Sequence, residues 1–278
     1  MSALEPVADG VYVLRYPVLD VNATVVLGDR YALVVDTLSS DAQAGTLLAA
    51  LRAVTALPLI LVNTHFHFDH CLGNAVLAAG GRPIWAHTNA AAQLRERGGY
   101  WQRRWYGQWL AAEPDLARDL AATRLVPPDR TVGPQAAVDL GGREVLLRHH
   151  GRGHTDGDLV VRVPDAGVLL AGDLVEQGGP PDFADGYPLA WPETLASVLR
   201  EGPGDRVVVP GHGAVVDRDF VTAQHADLAA LDWLIRQGDA DGAPAQAVAD
   251  AAAARTGFPA ATTLVAVRRG YAELAGRL

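Results

Sequence analysis

The 278-residue chain contains no lysine, because all 23 of its basic residues are arginine. This absence excludes a lysine Schiff base and a P-loop, both of which depend on a lysine amine. The chain also has a single cysteine, Cys71, which excludes an intrachain disulfide and a zinc site built from several cysteines. Acidic residues number 32, and the resulting charge of −9 argues against nucleic acid or an anionic membrane as a partner.

Long apolar segments are missing as well. The longest apolar runs, such as Leu57 to Val62, fall far short of the roughly 20 residues that a membrane-spanning helix needs. The first residues show no basic segment followed by an apolar one, so no secretory signal peptide is expected. Together with the single cysteine, these features predict a cytoplasmic protein with no membrane partner.

The remaining sequence predicts alternating strands and helices. Runs rich in β-branched residues predict strands, and longer stretches with apolar residues at helical spacing predict helices. The predicted strands are 11–15, 23–27, 31–35, 59–62, 83–86, 137–140, 144–148, 159–163, 168–170 and 207–209. The predicted helices are 41–54, 71–79, most of 89–124, one that starts near Pro192, and most of the chain after Asp219. This mixture predicts a layered α/β domain with a helical tail.

The strongest chemical signal directly follows the predicted buried strand 59–62. The segment Thr64-His65-Phe66-His67-Phe68-Asp69-His70 has the pattern H-x-H-x-D-H. In extended backbone His65 and His67 point to the same side, and Asp69 and His70 reach a second point nearby. Imidazole nitrogens and carboxylate oxygens are the usual ligands of zinc where no thiolate is available. The segment therefore predicts part of a metal site.

Three further candidate ligands lie downstream, each beside a glycine. His154 lies in Gly153-His154-Thr155, Asp173 in Gly172-Asp173-Leu174, and His212 in Gly211-His212-Gly213. Each is predicted to lie in a loop at the end of a strand, where glycine lets the backbone approach closely.

Taken in order, these motifs resemble those of the metallo-β-lactamase-fold hydrolases, and the resemblance covers about residues 7–216. It implies an α/β fold, a four-layer αββα sandwich with the metals at one edge, followed by a C-terminal helical tail. The expected catalytic domain is 1–218, with a helical insertion at about 89–124. Residues 219–278 would form a helical extension packed on it.

The resemblance also implies a ligand set and a reaction. His65, His67 and His154 would hold one metal, Asp69, His70 and His212 a second, and Asp173 would bridge both. Asp36 matches a position beside the site. The predicted function is a dinuclear zinc hydrolase that uses a metal-bridging hydroxide to cleave a small ester, thioester, lactone or amide. Asp69 would orient the nucleophile or shuttle its proton, and iron or manganese remains open in place of zinc.

The substrate pocket is predicted less directly. Trp101, Trp105 and Trp109 recur every four residues and share a helix face, which fits core packing, a homodimer contact or a lid over the metals. As a lid, the segment would place Trp101 and Trp105 on the substrate, with Arg104 binding a substrate carboxylate. The loop with Phe183 and Tyr187 is a second candidate wall.

Several subdivisions of the family remain open. The ligand set resembles that of glyoxalase II-like thioester hydrolases and quorum-signal lactonases, but the lactonases carry a tyrosine where Glu176 stands here. A true β-lactamase is disfavoured because Asp173 replaces the usual cysteine or serine. Processing nucleases share the ligands but carry RNA-binding additions that this sequence lacks. An alternative outside hydrolysis is a persulfide dioxygenase with one iron, since that group has the same H-x-H-x-D-H motif.

Overall fold

Twelve strands form one continuous hydrogen-bonded sheet in residues 3–202 and 204–277, the residues that this computed structural model describes. The predicted domain ends at residues 1 and 278 lie outside those ranges. The strands are β1 (Glu5–Ala8), β2 (Val11–Tyr16), β3 (Val21–Leu27), β4 (Ala32–Val35), β5 (Leu59–Val62), β6 (Ile84–His87), β7 (Arg130–Val132), β8 (Gln135–Asp139), β9 (Glu144–Arg148), β10 (Val160–Val163), β11 (Val168–Glu176) and β12 (Val207–His212).

Nine helices accompany these strands in the described ranges. They are α1 (Asp41–Val54), α2 (Phe68–Cys71), α3 (Asn74–Leu77), α4 (Thr88–Trp109), α5 (Pro114–Ala122), α6 (Trp191–Glu201), α7 (Arg218–Ala240), α8 (Ala245–Thr256) and α9 (Ala260–Leu274). None of these helices is long and apolar enough to cross a bilayer.

The sheet consists of two halves that meet at a narrow seam. Its order is β7-β6-β5-β4-β3-β12-β11-β10-β9-β8, with β2 and then β1 attached to β3. The seam between β3 and β12 is a single antiparallel pair, Val21 with His212. Because so little pairing joins the halves there, the sheet folds back on itself, and the loops around His212 come together at one edge.

The space between the two halves is filled by alternate strand residues. Val26 and Leu33 of the first half belong to the same apolar cluster as Leu147, Val161 and Leu170 of the second half. All five are at most 2% exposed. Period-two alternation thus directs one face of each half inward, as in a packed pair of sheets.

The opposite faces are covered by helices. On the first half, Leu47 and Leu51 of α1 pack in one cluster with Val34 and Leu61. On the second half, residues of α6, α7, α8 and α9 pack against Leu169, Val208 and their neighbours. The order of layers is therefore helix, sheet, sheet, helix, which confirms the predicted fold class and its C-terminal helical region.

Helix α1 shows why the sequence specifies these elements locally. The Ser40 side chain caps the helix by accepting a hydrogen bond from the Gln43 amide. The negative charge of Asp41 in the first turn interacts favourably with the helix dipole. Buried Leu47 and Leu51 are four residues apart and share the inward face. The predicted bounds of α1 and β5 match the structure.

Several predictions about the elements need correction. Strand β1 and the short strand β7 were not predicted, and the stretch 89–124 is two helices separated before Pro114. The predicted helix 71–79 is instead the two short helices α2 and α3. Asp173 and His212 were expected in loops, but they lie within β11 and at the end of β12. These strands run past their apolar segments because β11 and β12 continue to pair, with register shifts, as far as Glu176 and His212.

Candidate metal centre

Seven polar side chains meet at the seam between the halves of the sheet. Four come from the turn after β5 and the first turn of α2, one from the loop between β9 and β10, one from β11 and one from β12. They are His65, His67, Asp69, His70, His154, Asp173 and His212, the seven ligands that the sequence predicts. Five of the seven residues are buried, and His67 and His212 are partly exposed.

The first group comprises three histidines and one aspartate. One ligand atom each from His65, His67, His154 and Asp173 lies within 4.8 Å of the others. His67 Nδ1 is 2.8 Å from His154 Nε2, and Asp173 Oδ2 is 3.3 Å from His154 Nε2. Asp173 Oδ2 is also 3.6 Å from His65 Nε2. Separations of this size suit nitrogen and oxygen atoms that share one ion at about 2.0–2.2 Å.

The second group lies next to the first. Ligand atoms of Asp69, His70 and His212 also lie within 4.8 Å of one another, and the two imidazole Nε2 atoms are 3.3 Å apart. Asp173 Oδ1 is 3.1 Å from His70 Nε2, and Asp173 Oδ2 is 3.4 Å from His212 Nε2. The Asp173 carboxylate therefore contacts both groups.

Each of the five imidazoles is oriented through its other nitrogen. The pairs are His65 Nδ1 with Thr64 Oγ1 at 3.1 Å, His67 Nε2 with Asp185 Oδ2 at 3.4 Å, His70 Nδ1 with Asp36 Oδ2 at 2.8 Å, His154 Nδ1 with the Asp182 carbonyl at 3.3 Å, and His212 Nδ1 with the Leu19 carbonyl at 2.8 Å. This arrangement is typical of metal-binding histidines, whose far nitrogen bonds to a carboxylate, a carbonyl or another acceptor.

Two of the residues that orient these histidines have a left-handed backbone conformation. Leu19 and Asp36 have φ angles of 61° and 65°, and they are two of the four residues other than glycine with positive φ in the described chain. The Asp36 carboxylate also accepts hydrogen bonds from the Thr64 amide and hydroxyl, both at 2.8 Å. Left-handed conformations in such residues are costly and concentrate at functional sites. The predicted position of Asp36 beside the site agrees with this contact.

A glycine makes room for the bridging carboxylate. A Cβ atom on Gly211 would lie 1.8 Å from Asp173 Oδ1, far inside van der Waals contact. The glycine before His212 in the sequence is thus required by the close approach of β12 to Asp173.

The arrangement fits divalent metal ions. His65 Nε2 is buried and has no hydrogen-bond partner in the described part of the chain, although a buried polar atom is normally satisfied. The Asp173 Oδ2 atom lies 3.6 Å from it, which is too far for a hydrogen bond. Five imidazoles and two carboxylates, without a thiolate, form a donor set that suits zinc.

The charges of the protein groups are also suited to cation binding. Burial opposes ionisation of Asp173, but His70 and His212 outweigh it and hold the pKa of the Asp173 carboxyl well below its usual range. Burial keeps the pKa of His65 well below its usual value. Burial also opposes the charged form of His212, yet Asp173 and Asp69 raise its pKa to about 10. An ionised carboxylate and a neutral imidazole are the forms that bind metal, whereas His212 and His70, whose pKa is also raised well above its usual value, must first release a proton.

A cavity of about 550 Å³ opens beside the two groups. Its wall contains five of the seven cluster residues together with apolar, amide and acidic side chains. The lining residues are Leu19, Asp20, His67, Phe68, Asp69, Gln108, Trp109, His154, Asp173, Glu176, Gln177, Gly178, Gly179, Pro180, Asp182 and His212. Burial and the neighbouring Asp173 raise the pKa of the Glu176 carboxyl well above its usual range.

The five side chains predicted for the substrate pocket lie elsewhere. Trp101 and Trp105 are buried in the cluster that joins α4 to Phe66 and Phe68, and Phe183 packs against Trp191. Arg104 is 3.7 Å from Asp185, and Tyr187 lies under the guanidinium groups of Arg152 and Arg269. None of the five lines the cavity beside the cluster, because large side chains on these elements pack inward or pair with neighbours. Their contact with a substrate stays a prediction.

Comparison with known proteins bears on the same residues. A sequence model of the metallo-beta-lactamase superfamily matches residues 16–212. The chain belongs to the metallo-beta-lactamase superfamily. This is the family that the sequence motifs predict. The seven clustered side chains all lie within the matched segment.

Individual relatives show how far this likeness extends. The chain is 30% identical over 165 residues to a "Metallo-beta-lactamase type 2" of Bacillus cereus, a match covering 58% of this chain and 54% of that protein. It thus spans about half the length of that relative. An "Acyl-coenzyme A thioesterase MBLAC2" of Gallus gallus is 26% identical over 201 residues, or 66% of this chain and 71% of that protein.

Solved structures show the fold. A metallo-beta-lactamase from Pontibacter korlensis has a TM-score of 0.67 at 20% identity and covers 82% of this chain and 99% of its own. The DIM-1 metallo-beta-lactamase has a TM-score of 0.66 at 21% identity and covers 82% and 97%. The predicted family and fold class are thus confirmed.

One supporting contact comes from beyond the segment that matches the superfamily. Arg269 of α9 donates to three consecutive carbonyls, those of Ala184, Asp185 and Gly186, at 3.0, 3.1 and 2.6 Å. The loop fixed in this way carries Asp185, which pairs with His67, and begins with the Asp182 carbonyl that orients His154. Sequence reasoning missed Arg269 and Asp185, because nothing in the local pattern links residues 84 positions apart.

Replacing Arg269 with methionine is therefore expected to lower the metal affinity of the first ligand group. Loss of three hydrogen bonds frees the loop that orients His67 and His154, and such outer contacts are typically worth about tenfold to a hundredfold in metal affinity. Competition with a chromophoric chelator measures this affinity. Arg268 is exposed, so Arg268→Met is the matched control and should bind metal like the unaltered protein. Equal affinities of both variants would show that the Arg269 contact does not support the site.

Proposed function

We propose that the chain is a dinuclear zinc hydrolase that cleaves a small ester, thioester, lactone or amide. The observation that carries this proposal is the Asp173 carboxylate, which contacts both ligand groups at distances of 3.1 to 3.6 Å. His65, His67 and His154 would hold one ion with it, and Asp69, His70 and His212 the other. When bound, two such ions lower the pKa of a shared water and polarise the bond to be cleaved.

The protein groups supply orientation and proton transfer. The Asp69 carboxylate lines the cavity, and its Oδ2 lies 3.4 Å from His212 Nε2 and 3.7 Å from His70 Nε2. In this position it can hold a proton of the attacking water at a carboxylate oxygen. Leu19, Phe68 and Trp109 form an apolar wall against which the non-reacting part of a small substrate can pack.

The donor set supports zinc and two ions over the mononuclear alternative. A persulfide dioxygenase would use one iron, whereas here both ligand groups have histidines oriented by outer partners. The proposed division into a catalytic domain 1–218 and an extension 219–278 is supported by the match at residues 16–212. A cytoplasmic location and a possible homodimer stay predictions.

Elemental analysis of purified protein tests the proposal. We expect close to two metal ions per chain, with zinc giving the highest activity against a panel of thioesters, esters, lactones and phosphodiesters. The two oriented ligand groups are the reason for this number. One reproducible iron per chain, together with oxygen-dependent turnover of a persulfide, would instead assign the dioxygenase.

A further inference from the structure

A second cavity lies beside the one at the metal centre. It has a volume of about 330 Å³ and lies between the loop after β11 and helix α9. Its walls are residues 180–183 of the loop together with Ala261, Thr262 and Val265 of the helix. Pro180 and Asp182 line both cavities, so the two spaces adjoin at this part of the loop. We call the second cavity the α9 groove.

The α9 groove is largely apolar. Proline, phenylalanine, alanine and valine side chains form most of its lining, and Asp182 is its only ionisable lining residue in the described part of the chain. Val265 is 41% exposed, so its side chain is open to water beside the candidate active site. Concave, mostly apolar surface with few polar groups is typical of small-molecule sites. The hydrophobic effect favours an apolar ligand that covers such surface.

Both walls of the α9 groove are held in place by the protein itself. On the loop side, Phe183 is 1% exposed and packs against Trp191, with ring centroids 5.3 Å apart. Arg269 donates hydrogen bonds to the three carbonyls that directly follow Phe183, which ties the loop to α9. On the helix side, the buried Thr263 hydroxyl donates to the Ala249 carbonyl of α8 at 2.9 Å. A groove formed in advance binds a flexible chain without the cost of ordering its own walls.

Helix α9 contributes short side chains to the groove. Ala261 and Val265 are four residues apart and share a face of the helix. Because neither side chain is long, the two border the groove without filling it. The match to the superfamily ends at residue 212, so this wall lies outside the matched segment. The α9 groove is therefore a feature of this chain that membership of the superfamily does not imply.

We propose that the substrate carries an extended alkyl chain, which runs from the metal centre past Pro180 into the α9 groove. There it packs on Phe183, Ala261 and Val265. This substrate class rests on the proposed hydrolase function, and it adds that long-chain substrates are favoured over short ones. The reason is the continuity of the two cavities, because a chain attached to the bond at the metal centre reaches the groove without leaving the lined surface.

Ligand binding tests this inference without turnover. Metal-loaded protein is titrated with acetohydroxamate and with octanohydroxamate, which share a metal-binding head group and differ only in the alkyl chain, and the heat of binding is followed. Each methylene that moves from water onto apolar surface strengthens binding about twofold to fourfold. We therefore expect octanohydroxamate to bind at least about thirtyfold more tightly than acetohydroxamate. Equal affinities of the two would overturn the inference.

Two variants of α9 assign the chain to the groove. In Ala261→Trp the indole occupies the groove, so most of the gain from the long chain should disappear while acetohydroxamate affinity stays unchanged. Val265→Thr keeps the shape of its side chain but places a hydroxyl on the groove, and it should lower octanohydroxamate affinity about threefold or more. Ala254, exposed on α8 and outside both cavities, provides the control Ala254→Trp. Full chain-length gain in both α9 variants would place the chain elsewhere and refute the inference.

Hydrolysis separates this inference from the proposed function. Esters and thioesters are compared in two series, one that lengthens the acyl chain from acetyl to octanoyl and one that lengthens the leaving group in the same way. We expect kcat/KM to rise with chain length in one series and the rise to disappear in Ala261→Trp. If short and long members of both series are turned over equally, the inference fails and the hydrolase stands. If octanohydroxamate binds through the groove but no ester, thioester, lactone or amide reacts, the proposed function fails while the binding site stands.

Discussion

Replacing Asp173 with alanine should abolish turnover while the protein remains folded. The Asp173 carboxylate is the only one, in the part of the chain that the structure describes, whose oxygens lie within 3.6 Å of imidazole nitrogens of both ligand groups. Without it, neither group keeps its full donor set, and the spacing of the two ions is no longer fixed. Removal of one principal electrostatic group from an active site commonly costs about a hundredfold to a thousandfold, and we expect at least this loss.

The same variant should lose bound metal but retain its fold. Asp173 lies at the edge of the sheet, whereas the apolar clusters between the halves and beneath the helices do not depend on it. Metal content, kcat/KM and the thermal midpoint are measured together, with the exposed residue of α5 altered in Asp119→Ala as the control. Full activity of the Asp173 variant would refute the bridging assignment.

Four of the seven ligands were predictable because their signal is local. His65, His67, Asp69 and His70 lie within six residues, and the alternation of extended backbone places the first two on one side. His154, Asp173 and His212 were placed with them through the family resemblance, since no spacing rule brings residues so far apart to one point. The structure brings all seven together.

The supporting contacts were less accessible to sequence reasoning because they are long-range. The Leu19 carbonyl holds His212 across 193 positions, and Arg269 reaches the loop around Asp185 from the last helix. The tryptophans at 101 and 105 illustrate the opposite difficulty. Their helical spacing fits a lid as well as a core, and only the packing against Phe66 and Phe68 shows that they are buried.

The local sequence pattern predicted the limits of some strands better than those of others. Strand β5 is a continuous apolar run between parallel neighbours, and its predicted limits match the structure. Strand β11 extends to Glu176 because β12 pairs with it past the apolar segment. Strand propensity of single residues does not predict such pairing. This extension is what carries Asp173 and Glu176 to the centre.

Removal of the metals by a chelator should abolish activity and lower the thermal midpoint. Ions that bind the folded chain alone stabilise it by mass action, by about 4 kcal/mol when their free concentration is a thousandfold above the dissociation constant. Without them, five imidazoles and two carboxylates remain crowded in a buried cluster. Scanning calorimetry before and after chelation, followed by readdition of zinc, measures both effects on one sample.

The gap between the metal-loaded and metal-free midpoints should widen as the pH rises. In the metal-free chain the pKa of His212 is raised to about 10, above its unfolded value near 6.5, by the carboxylates of Asp173 and Asp69. This contribution to the stability of the metal-free protein is fully present below pH 6.5 and is lost as the pH rises toward 10. Metal binding shows the opposite trend, because His212 must release its proton to become a ligand. A gap that stays constant between pH 6 and pH 9 would mean that His212 does not exchange a proton for a metal ion.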